Sequence, residues 1–111
     1  MELLIAQKFV DDQRFARLFV REKFRLNRWG RVKIAHLLRQ SGIGEEAIQN
    51  ALTEIDEDSY YRTCVDLMKR KSASIKDKNP YSRKGKILKY ASGRGFETEL
   101  IYRILNSEEM G

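Results

Sequence analysis

Five arginines recur along one predicted helix at spacings that place them on the same side. They are Arg14, Arg17, Arg21, Arg25 and Arg28. At 100° per residue these side chains fall within an arc of about 80°. A solvated face is the ordinary explanation of a charge run, but five neighbouring guanidinium groups repel one another. A face of mixed sign would keep the helix soluble at a lower cost. This arginine row therefore favours an anionic partner.

No group of residues indicates catalysis, a metal site or a bound cofactor. His36 has no second ligand at a suitable spacing, so we interpret it as a surface residue. Cys64 lies on the apolar face of its helix and is most simply a core thiol. No glycine-rich phosphate loop and no nucleophile–base arrangement is found. We therefore predict that the protein is not an enzyme and needs no cofactor.

Positive charge is concentrated in two blocks. Residues 14–39 hold nine Lys or Arg residues and one acid, and residues 69–94 hold ten and one. The acids lie mainly between and after these blocks, and the formal net charge is +6. This alternation is typical of a protein that binds nucleic acid or another anionic surface. The residues predicted to contact that partner are Arg14, Arg17, Arg21, Arg25, Arg28, Trp29, Arg31, Lys33, Arg39, Lys69, Arg70, Lys71, Arg83, Lys84, Lys86, Lys89 and Arg94.

Trp29 allows two interpretations. It lies in a predicted turn between helices and could hold that turn together by packing. As an exposed aromatic residue beside Arg28 and Arg31, it would instead suit stacking on a base. The sequence favours neither.

The first half of the chain predicts four helices. A short one covers residues 2–9, with Leu3, Ile5, Ala6 and Phe9 as its apolar positions. Asp12 is a good N-cap for the next helix, which runs to Asn27 or Arg28. That helix is predicted to be packed on several sides and open to water mainly along the arginine row. Gly30 permits the turn to a helix over 31–40. Gly42, followed by apolar Ile43, ends that helix, and a further helix covers 45–54.

A similar pattern returns in the second half. Asp58 is predicted to cap a helix whose inward residues Tyr61, Cys64, Val65 and Met68 match Phe15, Leu18, Phe19 and Glu22 at an offset of 46. A polar connector over 72–85 precedes a helix over 82–92. Gly95 and Phe96 then repeat Gly42 and Ile43 at an offset of 53.

We interpret the pattern as tandem three-helix repeats in an elongated, all-α array. Residues 1–10 would be the end of a truncated preceding unit. Residues 11–55 form one repeat, residues 56–107 form another with a longer connector between its first two helices, and residues 108–111 are a tail.

A DNA-reading helix-turn-helix is a rival interpretation, since both glycine stops have the spacing of that motif. The recognition helices would be residues 45–54 and 97–106. The first contains Glu45, Glu46 and Glu54 and no basic residue, so it would be repelled by phosphates. Groove reading by these helices is therefore not favoured.

Composition excludes several other classes. Hydrophobic residues make up 41% and charged residues 34%, which is typical of a globular helical protein. No apolar run reaches the roughly 20 residues of a membrane span, and the first residues lack signal-peptide features. A single cysteine cannot form an internal disulfide. We predict a cytoplasmic protein without membrane association.

The chain resembles the RecX regulators of the bacterial recombinase RecA. The resemblance rests on Asp12-Gln13-Arg14-Phe15-Ala16, Trp29-Gly30-Arg31 with Ile34, and Leu37-Leu38-Arg39-Gln40-Ser41-Gly42-Ile43. Ile48, Ala51-Leu52, Arg94-Gly95-Phe96 and Ile101 extend it. Members of this family are built from tandem three-helix units, commonly three.

The resemblance implies a regulator of homologous recombination and of the SOS response. RecX-like proteins bind the RecA filament on single- or double-stranded DNA and restrain its growth, and with it strand exchange, ATP hydrolysis and coprotease stimulation. It implies a role in DNA repair as an inhibitor that is not an enzyme. We also predict that the protein is a monomer. A direct DNA- or RNA-binding module with no recombinase partner is the alternative.

Overall fold

The computed structural model describes residues 2–110 of the chain and the side chains of residues 12–110. Residues 2–110 contain six helices and no strand. The helices are α1 (Glu2–Arg25), α2 (Arg31–Gln40), α3 (Glu45–Leu52), α4 (Glu57–Ser74), α5 (Pro80–Gly93) and α6 (Thr98–Leu105). They form an elongated body of 56 × 24 × 21 Å. The predicted all-α repeat architecture is confirmed. None of these helices has the length and hydrophobicity that crossing a bilayer requires.

Helix α1 is continuous through the point where the sequence predicts a helix start. It spans 24 residues, so Asp12 lies within it and is not an N-cap. No glycine or proline interrupts residues 2–25, and a continuous helix keeps every backbone bond that a break would lose. The predicted apolar positions Leu3, Ile5, Ala6 and Phe9, and the assignment of residues 1–10 to a preceding unit, lie outside the described side chains.

One side of α1 packs and the rest is open. Ala16 and Val20 are fully buried, whereas Phe15, Leu18 and Leu26 are 47%, 55% and 75% exposed. The prediction that this helix is open to water mainly along the arginine row is therefore wrong, since apolar side chains outside the row are exposed too. The apolar pattern alone could not show this, because a wide apolar arc marks possible contacts rather than made ones.

The turn between α1 and α2 uses glycine for space rather than for backbone freedom. Gly30 has an ordinary φ of −81°, while Arg28 adopts the left-handed conformation with φ 56°. A Cβ on Gly30 would lie 2.3 Å from the carbonyl carbon of Gly95. The predicted reason for Gly30 is therefore wrong: it permits close approach of another segment.

Both predicted glycine stops are confirmed. Gly42 has φ 88° and Gly95 has φ 98°, values that favour glycine. The next residue folds back in each case, since Ile43 N–H donates to Leu38 O at 3.0 Å and Phe96 N–H to Ala91 O at 3.2 Å. Ile43 and Phe96 are both buried. Each stop thus joins the second and third helices of its unit through the core.

The second half departs from the predicted helix limits. Asp56, not Asp58, caps α4, since its carboxylate accepts the Ser59 N–H at 3.0 Å. Helix α4 continues to Ser74, and α5 begins at Pro80, a residue suited to a first helical position. Residues 75–79 alone separate the two helices, in place of the polar connector predicted over 72–85.

Burial also revises the alignment of the first helices. The buried residues of α4 include Tyr60, Cys64 and Met68, and those of the described part of α1, residues 12–25, are Ala16 and Val20. Ala16 and Val20 match Tyr60 and Cys64 at an offset of 44, whereas the predicted offset of 46 pairs buried Cys64 with exposed Leu18. The limits of the units, at 11–55 and 56–107, stay predictions.

Candidate nucleic-acid interface

The arginine row lies along the flank of α1, except for Arg28, which follows the end of that helix. Arg14, Arg17, Arg21 and Arg25 are exposed, and Arg28 is half-exposed. Two of the five have an acidic neighbour among the described residues: Arg21 lies 3.3 Å from Glu54, and Arg28 lies 3.5 Å from Asp66. Exposed pairs of this kind contribute at most about 1 kcal/mol. The row therefore retains most of its positive charge for a ligand.

Arg28 occupies a backbone position that usually favours glycine. Its N–H donates to Phe24 O, the next N–H donates from Trp29 to Lys23 O at 3.1 Å, and its φ of 56° completes a left-handed helix stop. A side chain in this conformation costs about 1–2 kcal/mol. The sequence nevertheless places an arginine here, and strain of this kind is concentrated at functional sites.

A basic groove lies between the end of α1 and the first half of α4. It has a volume of about 650 Å³ and is lined by Phe24, Arg25, Arg28, Ser59, Arg62, Thr63, Val65, Asp66, Lys69 and Glu109. Four of these side chains are basic and two are acidic. The groove joins the arginine row to Lys69, which the sequence had assigned to a separate basic block.

Arg62 is a groove residue that the sequence prediction missed. Arg62, Asp66 and Lys69 follow one another at helical spacing, so α4 presents them on one side. Arg62 lies outside both basic blocks and next to acidic residues, which is why charge counting passed over it. The signal that could have found it was its spacing to Lys69.

Trp29 packs partly against the core, which supports the interpretation that it holds the turn. The ammonium groups of Lys33 and Lys23 lie 4.4 and 5.3 Å from the centre of its ring. Cations at these distances are attracted by the ring. Base stacking by Trp29 stays a prediction.

Arg31 is held in the contact between the two halves of the molecule. Its guanidinium lies 4.0 Å from the centre of the Tyr60 ring and bonds Glu57 at 2.5 Å and Glu97 at 3.4 Å. The Arg31 N–H donates to the Tyr60 hydroxyl at 2.9 Å, and that hydroxyl donates to Glu97 at 2.5 Å. Burial, followed by the hydrogen bond to Glu97, raises the pKa of Tyr60 well above its ordinary value. The charge of Arg31 is thus largely matched inside the protein.

The helix ends beside Arg31 also meet across this contact. Gly30 N–H donates to Arg94 O at 2.8 Å, and Val32 N–H donates to Gly95 O at 2.9 Å. Free donors at the start of α2 are therefore satisfied by carbonyls that follow α5. The Arg94 side chain donates to Asn27 O in the same region. Arg94 therefore has a structural partner in addition to its predicted ligand.

Arg83 also has internal partners. It donates to the carbonyl oxygens of Ile75, Asp77 and Ser72 at 2.9–3.1 Å, so it satisfies groups at the end of α4 and in the connector. Lys86 lies 3.5 Å from Asp77, and Arg39 bonds Glu45 at 2.7 Å.

The other basic residues of the second half lie along α4 and α5. Lys69 lies 4.0 Å from Glu109, and Arg70 lies 3.3 Å from Asp66. Lys71 lies 5.3 Å from the centre of the Tyr90 ring, while Lys84 and Lys89 are exposed. Lys69 therefore lines the groove with Arg25 and Arg28, and the remaining lysines lie outside it.

The structure also places the residues considered for chemistry. Cys64 is fully buried, and burial raises the pKa of its thiol to about 12, so it is a core residue as predicted. His36 is exposed. Within residues 12–110, no group of three His, Cys, Asp or Glu side chains is placed to hold a metal ion.

Family comparisons agree with the repeat. Residues 11–52 match the model described as the second three-helix domain of RecX, and residues 57–105 match the third three-helix domain of RecX. No solved structure matches the chain.

Several curated relatives carry the name regulatory protein RecX. The protein of Clostridioides difficile is 27% identical over 96% of this chain and 50% of its own length. That of Clostridium tetani is 33% identical over 96% of this chain and 49% of its own. That of Chlorobium phaeobacteroides is 30% identical over 96% of this chain and 68% of its own. The chain spans about half the length of the first two.

Both matched domains fall on the helical units described above, and they cover most of the chain in the order that the repeat requires. The chain belongs to the RecX family of regulatory proteins.

Proposed function

We propose that this chain regulates homologous recombination and the SOS response by binding the RecA–DNA filament and inhibiting its growth and activities. The family membership supports a regulator related to RecA. The filament is a DNA-containing polymer, so a ligand for it must tolerate or contact phosphates. The chain would act as a cytoplasmic monomer, without catalysis.

The observation that carries this proposal is the exposed arginine row. Four of its guanidinium groups lie along one flank of α1 and that of Arg28 follows the helix end, with two loose acidic contacts among the described residues. Neutralising phosphates releases counterions and supplies much of the affinity of nucleic-acid binding. The body is 56 Å long and 24 Å or less in its other dimensions, a shape suited to lying along a polymer.

A direct DNA- or RNA-binding module is the second candidate function. The same row and the groove beside it contact phosphates whether or not a recombinase is present. In that case the protein would act on RecA only by competing for DNA.

The separating experiment follows ATP hydrolysis by RecA on single-stranded DNA after the protein is added. We expect hydrolysis to fall at protein concentrations too low to coat the bare DNA. Unchanged hydrolysis at concentrations that saturate bare DNA would eliminate the filament proposal and leave the direct binding module.

Variants sharpen the assay. Arg14, Arg17 and Arg21 changed together to Gln should weaken inhibition strongly, since they are exposed parts of the row. The matched control changes Lys76, Lys78 and Arg103 to Gln, which removes three exposed positive charges outside the predicted contact residues. Equal effects of the two sets would mean that total charge, rather than the row, determines binding.

A further inference from the structure

The groove between α1 and α4 combines features that the arginine row alone does not have. It is a concave space of about 650 Å³, whereas the row is a convex helix flank. Its volume lies in the range of sites that enclose a small organic ligand. A positively charged groove of this kind suits the backbone of a single strand.

The charges that line the groove are loosely matched. Arg28 lies 3.5 Å from Asp66, Lys69 lies 4.0 Å from Glu109, and Arg62 lies 3.8 Å from Asp58. Arg25 makes no ion pair with any of the described residues. Contacts this long between exposed groups contribute little, so an incoming anion displaces them easily.

The groove also offers neutral donors. Ser59 and Thr63 line it from α4, one helical turn apart. Hydroxyl groups beside guanidinium and ammonium groups form the donor set that commonly contacts phosphate oxygens. The set comes from two elements, α1 and α4, so the relative placement of the two helices creates it.

An acidic segment after α6 already reaches one edge of this groove. Ser107 Oγ donates to Ile104 O at 2.7 Å and accepts the Glu109 N–H at 3.2 Å, which folds the segment back. Met110 packs partly against the core, and the Glu109 carboxylate faces Lys69. The Glu109 carboxylate thus lies where a phosphate group would contact Lys69, so the two would compete for the lysine.

We propose that the α1–α4 groove binds the phosphodiester backbone of a single nucleic-acid strand, and that the Glu109 carboxylate stays beside the Lys69 ammonium group until the strand displaces it. This inference rests on the proposed function and names where a strand is held. Arg25 and Arg62 flank the phosphates, Arg28 contacts them from the end of α1, and Ser59 and Thr63 donate to oxygen atoms.

The first test uses fluorescence anisotropy with a labelled oligodeoxythymidine at low salt. Arg62→Gln should weaken binding by about tenfold and make the log–log salt slope shallower by about 0.7, the loss of one phosphate contact on a single strand. The Arg62 side chain is 75% exposed, so its removal leaves the helix intact. The control is Arg103→Gln, an exposed arginine on α6 outside the groove. Equal affinities of the two variants would overturn the groove site.

The second test removes the internal competitor. Glu109→Gln should bind the oligonucleotide about threefold more tightly, while Glu99→Gln, an exposed acid on α6, should change affinity much less. A tighter complex in both variants would show a general charge effect and overturn the role of Glu109. Unlabelled ATP should compete weakly, because it offers no continuous backbone. Displacement at matched phosphate concentration would reassign the groove to free nucleotides.

The outcome can be separated from the proposed function. If the wild-type protein inhibits RecA hydrolysis but Arg62→Gln binds the strand normally, the groove inference fails alone. If the groove variants behave as expected but RecA hydrolysis is unaffected by the wild-type protein, the filament proposal fails alone.

Discussion

The first unit, α1–α3, and the second unit, α4–α6, are nearly the same in their second halves and different in their first helices. The bonds after Gly42 recur after Gly95 at an offset of 53, and the buried residues Ile34, Leu38 and Ile48 recur as Ile87, Ala91 and Ile101. The pair formed by the second and third helices is thus the same local structure in both units.

The first helices are used differently. Helix α1 packs mainly against α3, whereas α4 packs mainly against α5. The position of Ala16 in α1 is taken in α4 by Tyr60, whose ring packs beside Phe24 and Phe96. Helix α4 therefore uses this position for a contact between the units, while α1 leaves a charged flank and the side chains of Phe15 and Leu18 in water.

This difference indicates that the first helix of a unit has a different role from its second and third helices. The stop and third helix set the fold of each unit, so their sequence must satisfy local backbone geometry. The first helix has fewer local constraints, and it can either join the units or present a surface. Variants at matched positions of the two units test this interpretation.

The largest expected difference is between Gly95→Ala and Gly42→Ala. A left-handed φ costs a side chain about 1–2 kcal/mol at either position. At Gly42 the new Cβ meets nothing within 4 Å, whereas at Gly95 it would lie 2.4 Å from Lys33 Cβ and 2.8 Å from Lys33 N. Overpacking typically adds about 1–3 kcal/mol. Urea unfolding should therefore show a larger loss for Gly95→Ala.

Equal losses in these two variants would mean that the close contact between the units relaxes without cost. A loss for Gly95→Ala alone would instead contradict the backbone explanation that the two stops share.

The next effect concerns the Tyr60 hydroxyl, which unit 1 lacks because Ala16 stands there. Tyr60→Phe leaves the Arg31 N–H and the Glu97 carboxylate without this partner. Leaving buried polar groups unsatisfied costs about 1–3 kcal/mol. The control, Tyr61→Phe, should change stability by less than about 0.5 kcal/mol, since no hydrogen bond of the Tyr61 hydroxyl is found among the described residues. Thermal unfolding measures the stability of both variants. Equal losses of stability would mean that the hydrogen bonds of the Tyr60 hydroxyl do not stabilise the contact between the units.

A smaller effect of opposite sign is expected at the end of α1. Arg28→Gly relieves the left-handed strain and should stabilise the protein by up to about 1 kcal/mol. The lost contact to Asp66 is exposed and contributes little. Asn27→Gly is the control and should not stabilise, since Asn27 has no positive φ. A stabilised Arg28→Gly variant that binds oligonucleotide normally would mean that the arginine is not kept for binding.

Much of the fold followed from local signals in the sequence. Residues close together in the sequence determine the glycine stops, the second and third helices of each unit and the burial of Cys64. The residue pattern therefore predicts these features. The continuous α1 was missed because Asp12 is an effective cap only where a helix begins. Helix propensity does not locate the first residue of a helix when the preceding residues also favour helix.

The candidate site was less predictable because it depends on tertiary placement. The arginine row is periodic and could be found, but the roles of Arg31, Arg83 and Arg94 as internal partners required the approach of distant segments. The spacing of Arg62 to Lys69 was visible in the sequence, but that both residues line one groove with Arg25 and Arg28 was not. Charge counting treats all basic residues alike, whereas a fold divides them between solvent, groove and internal carbonyl groups.

The smallest effect concerns a surface pair that unit 2 lacks. Arg39 bonds both carboxylate oxygens of Glu45 at 2.7 and 2.8 Å, while Ser92 and Thr98 stand at the matching positions. The hydrogen bond to Arg39, followed by that to Gln49, lowers the pKa of Glu45 from 4.5 to about 2. A lowered pKa in the folded state stabilises it above about pH 4.5, and this contribution is lost as the pH falls toward 2. Both groups are exposed, so solvent screening keeps the effect small.

Glu45→Gln should lower the unfolding temperature slightly at pH 5, and the difference from wild type should disappear near pH 2. Thr98→Glu provides the matched test in unit 2, since with Ser92 opposite no such pH dependence should appear. A difference between wild type and Glu45→Gln that is as large at pH 2 as at pH 5 would show that the pair is not formed in solution.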